Sequence, residues 1–159
     1  MRVPLVVRAP AFGTTPRTDD RFVLNVDVAP TLVDLAAATV PATHVVNGRS
    51  LVPLLAGTDT DWRDAMLNEH WPDAQPIPEN ALVKQGRCSA TRDTVCRSTA
   101  DCPPGETCDT WKYVEYFDGA RELYDLAADP YELTNVAADP ANAPLEADLA
   151  VRLHALQAE

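Results

Sequence analysis

Trp111-Lys112-Tyr113-Val114-Glu115-Tyr116-Phe117-Asp118-Gly119-Ala120-Arg121-Glu122-Leu123-Tyr124-Asp125-Leu126 reads as a β-hairpin. Alternation puts Trp111, Tyr113 and Glu115 on one face of the first strand and Lys112, Val114 and Tyr116 on the other. Asp118-Gly119 supplies the turn, and Arg121 to Leu126 returns as the partner strand. Upstream, Ala81-Leu82-Val83 and the segment Ala65 to Trp71 read as further strands. Downstream, Asp129-Pro130-Tyr131-Glu132 has the form of a capping box and predicts a short helix from Pro130 to about Val136. A last helix begins at Pro144, with Glu146 and Asp148 near its positive end. Leu145, Leu149, Leu153 and Leu156 form one stripe along it, which predicts packing on the small sheet.

The first third of the chain has a different pattern. Residues 3–8, Val-Pro-Leu-Val-Val-Arg, form a nearly continuous apolar run suited to a strand buried on both faces, with Pro4 tolerable near its start. A loop rich in proline and polar residues follows, then the short run Phe22-Val23-Leu24. A helix is expected from near Pro30, with Leu32, Val33, Leu35 and Ala36 on one face, stopping before Pro41. Strand followed by helix marks an α/β fragment. Asn47-Gly48 is a turn signal, and Leu51, Leu54 and Leu55 around Pro53 predict a short helix ending at Gly57.

The segment Met1 to Pro10 is no signal peptide, because Pro4 and Arg8 interrupt its apolar stretch. A chain that opens directly on a buried-type strand predicts a missing upstream part. No apolar run approaches the roughly 18 residues of a membrane span. The formal charge of −11 excludes non-specific nucleic-acid binding, which needs a basic footprint. All four cysteines, Cys88, Cys96, Cys102 and Cys108, fall in one stretch with spacing C-x7-C-x5-C-x5-C. Clustering and even number favour two disulfides and an oxidising compartment, and the lack of a C-x2-C pair makes zinc the weaker reading. Three pairings are open. Residues 87–110 have almost no large apolar side chain and read as an enlarged loop that depends on those disulfides.

Three stretches in order resemble the end of the sulfatase family. They are Arg2-Val3-Pro4-Leu5-Val6-Val7-Arg8-Ala9-Pro10; Asn25-Val26-Asp27-Val28-Ala29-Pro30-Thr31-Leu32-Val33-Asp34-Leu35 continuing to Asn47-Gly48-Arg49-Ser50-Leu51-Val52-Pro53-Leu54-Leu55; and Lys112 to Tyr116 with Glu122 to Leu126 and Asp129 to Val136. Trp62-Arg63 and Glu69-His70-Trp71 look most like the branch near N-acetylglucosamine-6-sulfatases. The resemblance implies an α/β fold: residues 1–60 as the tail of an alkaline-phosphatase-like α/β domain, and 61–159 as a small antiparallel sheet with a carboxy-terminal helix. The cysteine insertion at 87–110 is no part of the family pattern, and Ala11-Phe12 stands where the family often has a glycine.

Sulfatases hydrolyse sulfate esters with a formylglycine made from a cysteine in C-x-P-x-R, beside a calcium ion held by oxygen ligands. No cysteine here has that sequence, and the family's metal and sulfate ligands lie before the stretch matched by Arg2-Val3-Pro4. No catalytic or metal residue carries over. The resemblance therefore implies a carboxy-terminal fragment, inactive alone, whose partner is the missing amino-terminal segment and whose parent is periplasmic or extracellular. It also implies a sulfated glycan as a partner of the parent. A non-enzymatic, disulfide-stapled binding module is the alternative. Residues 1–60 are expected to expose an apolar face.

Among individual residues, Glu69 and His70 are candidates to approach a substrate, against a packed or solvated strand role. Asp27 and Asp34 as metal ligands are weaker than Asp27 as a helix cap. Trp111, Tyr113, Tyr116 and Tyr124 fit sheet packing better than a sugar platform. His44 and His154 have no partners at ligand spacing.

Overall fold

The computed structural model describes residues 4–13, 15–58, 61–71 and 80–158. The chain divides into two units, Met1–Asp19 with Val23–Trp62, and Asp20–Phe22 with Arg63–Glu159.

The second unit is built on an antiparallel sheet. Its strands are β1 (Ala65–His70), β2 (Asn80–Cys88), β3 (Val95–Cys96), β4 (Cys108–Tyr116) and β5 (Arg121–Asp125), in the order β1-β2-β4-β5 with β3 beside β2. The expected hairpin forms, closed at Gly119 with φ +87°. Pairing of β2 with β4 runs unbroken from Asn80–Tyr116 to Cys88–Cys108. The inserted residues thus extend the two central strands before they leave the ladder. Helix α3 (Ala143–Gln157) lies on one face, as its leucine stripe predicts. Leu145, Leu149 and Leu153 pack there with Ala65, Val83, Trp111, Tyr113 and Leu123 in one buried cluster. Three of the four candidate platform aromatics are therefore buried: Trp111 and Tyr113 in this cluster, and Tyr124 at 7% exposure.

Two disulfides close the insertion, Cys88–Cys102 and Cys96–Cys108. Its backbone is further tied down by carboxylates. Asp101 accepts the amides of Arg97 and Ser98, and Glu106 accepts those of Ala90 and Thr91. These amides hold both carboxyls below the usual range. Gly86 lies where a Cβ would come 2.3 Å from the Cys96 carbonyl oxygen and 2.8 Å from the Cys108 sulfur, so no other residue fits beneath the loop.

In the first unit, α1 (Val28–Leu35) follows a single 3-10 turn, Asn25–Asp27, and α2 (Val52–Ala56) ends at Gly57 in the left-handed region. Asp27 is fully buried. Its carboxylate reaches back to the Leu24 amide at 2.8 Å and across to the Arg49 amide at 2.9 Å. The Thr31 hydroxyl donates to the Asp27 carbonyl and accepts from the Leu51 amide. Gly48 passes under this turn, where a Cβ would meet the Val26 carbonyl oxygen at 2.1 Å. Leu51, Leu54 and Trp62 form a small core. The expected apolar exposure is present: Leu5 52%, Val6 92%, Leu32 62%, Leu35 52% and Val45 87%.

Three expectations are corrected. Residues 4–8 form no strand, because they have no ladder partner among the described residues. Helix α1 starts at Val28, with Pro30 inside its first turn. No helix forms over 130–136: Glu132 takes φ +58° and its carboxylate pairs with Lys112, while the Asp129 side chain accepts the Thr134 amide and closes a turn. No helix among the described residues is long and apolar enough to cross a membrane.

The Cys96–Cys108 bridge spans a sequence separation of 12. Loop-closure entropy for a ring of that size is worth about 3 kcal/mol. A Cys96→Ala/Cys108→Ala variant is expected to lose about that much stability in urea denaturation of the intact chain.

Candidate functional site

Successive strand residues point to opposite faces, so β1 sends Ala65, Leu67 and Glu69 toward α3 and Met66, Asn68 and His70 to the other side. Glu69 and His70 are therefore separated. The Glu69 carboxylate accepts from the Gln157 amide of α3 at 3.0 Å. His70 shares the opposite face with its ladder partners Asn80 and Tyr116. Its Nε2 is buried with no hydrogen-bond partner among the described residues. Such an atom is costly to leave unmet, a property that it shares with Arg87 Nε.

Both residues nevertheless line one cavity of about 160 Å³ that wraps the end of the sheet. Ala81 and Glu115, in the same row as Glu69, line it together with Trp71, Phe117, His154 and Gln157. Glu115 receives the Tyr113 hydroxyl at 3.2 Å, and its Oε2 lies 3.1 Å from His154 Nε2. His154 thus has a partner that sequence spacing did not reveal, because Glu115 is 39 residues away. His44 Nδ1 meets only the neighbouring Thr43 hydroxyl at 3.2 Å. The signal for Glu115 was present: it continues the Trp111, Tyr113 alternation, so a carboxylate sits on the buried face of its strand.

Burial, followed by the Glu115 carboxylate, pushes the Tyr113 hydroxyl from 10.0 up to about 12. Burial, followed by a hydrogen bond to Glu122, does the same for Tyr124. Asp27 and Asp34 do not form a metal pair: Asp27 holds backbone amides and Asp34 accepts from the Ser50 hydroxyl at 2.6 Å. Among the described residues, one cluster has three potential metal ligands, Cys88, Cys96 and Cys102, with sulfurs within 4.8 Å of one another. All are in disulfides, and sulfur is a poor match for calcium, which takes oxygen. With no free cysteine, none can serve as a formylglycine precursor. Among the described residues, no set fits either group.

The small antiparallel sheet with its terminal helix is shared with solved structures of the alkaline-phosphatase-like fold. A structure solved with its substrate D-glucosamine-2-N,6-O-disulfate matches 84% of the chain and 23% of its own length, at TM-score 0.62 and 24% identity. The phosphonate monoester hydrolase of Agrobacterium radiobacter matches 83% of the chain and 24% of its own, at TM-score 0.50 and 30% identity. The chain belongs to the sulfatase family: residues 1–87 match the family described as N-sulphoglucosamine sulphohydrolase, C-terminal. Arylsulfatase K of Gallus gallus is 34% identical over 85% of the chain, and human N-acetylglucosamine-6-sulfatase 32% identical over 86%. The chain spans 22% and 26% of those relatives' lengths.

The tyrosines give a stability signature. Their neutral forms are favoured by folding, so that stability is complete below pH 10 and is lost as pH rises toward 12. The thermal midpoint should fall across that interval, and Tyr113→Phe should make the fall smaller, as followed by circular dichroism.

Proposed function

We propose that this chain is the carboxy-terminal part of a sulfuric ester hydrolase acting on sulfated glycans. Residues 1–60 end its α/β domain and residues 61–159 form its small carboxy-terminal subdomain. The match of residues 1–87 to the sulfatase carboxy-terminal family carries this reading. A solved neighbour's sulfated glucosamine ligand supports the substrate class. Formylglycine and calcium belong to residues outside these 159, since no cysteine here lies in C-x-P-x-R and no set among the described residues suits calcium, and the chain alone is inactive. The exposed side chains of Leu32, Leu35 and Val45 pack against that preceding segment. His70 and Glu69 border the substrate from the two faces of β1, with the unmet His70 Nε2 the stronger contact. The parent works in the periplasm or outside the cell, in keeping with the two disulfides.

The purified chain, supplied with calcium and p-nitrophenyl sulfate, should show no turnover above buffer; turnover would overturn the assignment of catalysis to other residues. Light scattering should show association that grows with concentration, and Leu32→Glu/Val45→Glu should reduce it. A wild-type chain that stays monomeric at all concentrations would count against the packing role of that face.

A further inference from the structure

The two disulfides lie side by side on the face of the sheet away from α3. Alternation along β2 puts Gly86 and Cys88 on that face and Val83, Gln85 and Arg87 on the α3 side. Cys96 of β3 is the ladder partner of Gly86, and Cys108 of β4 that of Cys88. The Cys96–Cys108 bond therefore crosses β2 over Gly86, where a Cβ would come 3.2 Å from the Cys96 sulfur and 2.8 Å from the Cys108 sulfur. The Cys88–Cys102 bond runs beside it, with the sulfurs of Cys88, Cys96 and Cys102 all within 4.8 Å of one another. Each bond joins a buried cysteine, Cys88 at 0% or Cys96 at 1% exposure, to a half-buried one. Two bonds that only staple a loop have no need of neighbouring sulfurs.

Neighbouring sulfurs allow exchange. A thiolate attacks a disulfide sulfur that it can reach, and the other sulfur leaves as a thiolate. Cys102 sits at the outer end of the insertion, after the turn Thr99–Asp101, whereas the Cys108 sulfur is backed by Gly86. We infer that the pair is a thiol-exchange relay, in which a small-molecule thiol entering at Cys102 drives formation of a Cys88–Cys96 bond and frees Cys108. In the first step the incoming thiolate bonds to Cys102 Sγ and Cys88 leaves as a thiolate. In the second, the Cys88 thiolate attacks Cys96 Sγ, and Cys108 leaves as a thiolate that takes up a proton from water. No net oxidant is needed, since one external thiol is consumed and one protein thiol appears. The direction follows from solvation: burial disfavours the charged form, so negative charge moves from fully buried Cys88 to half-buried Cys108. A sulfur pair within 4.8 Å has to close to about 2.0 Å, and β3 is only two residues long, so little ladder resists that approach. The product still closes residues 89–95 onto β2, which keeps the Arg92 and Asp93 carbonyls at Arg87. Residues 97–107 lose their tether to Cys88. The insertion is thus a redox switch that opens its outer half and leaves the sheet intact.

The 159-residue chain is incubated with reduced glutathione under native conditions, quenched in acid, labelled with a maleimide that reacts below neutral pH, and mapped by tandem mass spectrometry. Trypsin cleavage after Arg87, Arg92 and Arg97 puts Cys88 and Cys96 on separate peptides. Glutathione should appear on Cys102, the maleimide on Cys108, and a new cross-link between the Cys88 and Cys96 peptides. In Cys88→Ser/Cys102→Ser the Cys96–Cys108 bond keeps its neighbours but loses its point of entry, and most of the Cys108 labelling should vanish. Maleimide on Cys88 with Cys96–Cys108 intact, glutathione on Cys108, or no modification short of global unfolding would overturn the inference. So would undiminished Cys108 labelling in the serine variant; if that variant does not fold, the wild-type map decides alone. None of these outcomes bears on the hydrolase reading, which ester hydrolysis and association of the first unit test.

Discussion

Arg87 carries a permanent charge at 2% exposure, and the small sheet is arranged to keep that charge paired. A buried guanidinium without partners costs several kcal/mol, so its surroundings are constrained more tightly than those of any neighbouring apolar residue. Its Nη2 donates to Gln85 and to Asp148 of α3, and its Nη1 points at the carbonyls of Arg92 and Asp93 in the insertion. Gln85 donates in turn to Asp64, which also receives Arg152 of α3 at 3.0 Å. One chain of polar contacts thus ties the sheet, the terminal helix and the disulfide-closed loop together. The planar fork of arginine suits this branching in a way that lysine would not.

The consequence reaches the cavity at the end of the sheet. Apolar packing of Leu149 and Leu153 tolerates small slides of α3 along the sheet, whereas paired charges at Asp148 and Arg152 specify its register. That register sets His154 beside Glu115 and Gln157 beside Glu69. The Glu69 and Glu115 side chains are therefore placed by a network that starts at Arg87, next to Cys88 of the Cys88–Cys102 bridge. The disulfide-closed loop is thus part of what positions the sheet and α3.

Local signals carried well into the structure and non-local ones did not. The Asp118-Gly119 hairpin, the leucine stripe of α3 and the Gly57 stop each depend on residues a few positions apart. A strand at 4–8 needs partners that the pattern cannot supply, so its apolar run was correctly read and its state was not. Over 130–136 the capping box lost to tertiary demand, since Lys112 holds Glu132 and Glu132 leaves the helical region. Arg87 was assigned to the insertion because of its neighbours in sequence, although it continues the Val83, Gln85 alternation onto the α3 face. The pairing of four cysteines required coordinates in space. So did the separation of Glu69 from His70: adjacency in sequence suggested one shared role, and the pleat of β1 divides them.

The first unit presents the reverse problem, an apolar surface that is exposed and yet ordered. An isolated helix of eight residues is unstable in water, because nucleation costs more than so few hydrogen bonds return. Helix α1 is instead braced from below. The Asp27 carboxylate holds Leu24 and Arg49, the Asp27 carbonyl holds Thr31, and Thr31 holds Leu51. Gly48 allows that turn to pass close enough for the Arg49 amide to arrive. These contacts are polar and lie on the underside, so they fix the helix without using Leu32 or Leu35. A helix stabilised by its polar side has its apolar side free to meet a partner with little further ordering cost. That division of labour explains why the carboxylate at position 27 is buried: its oxygens hold the Leu24 and Arg49 amides.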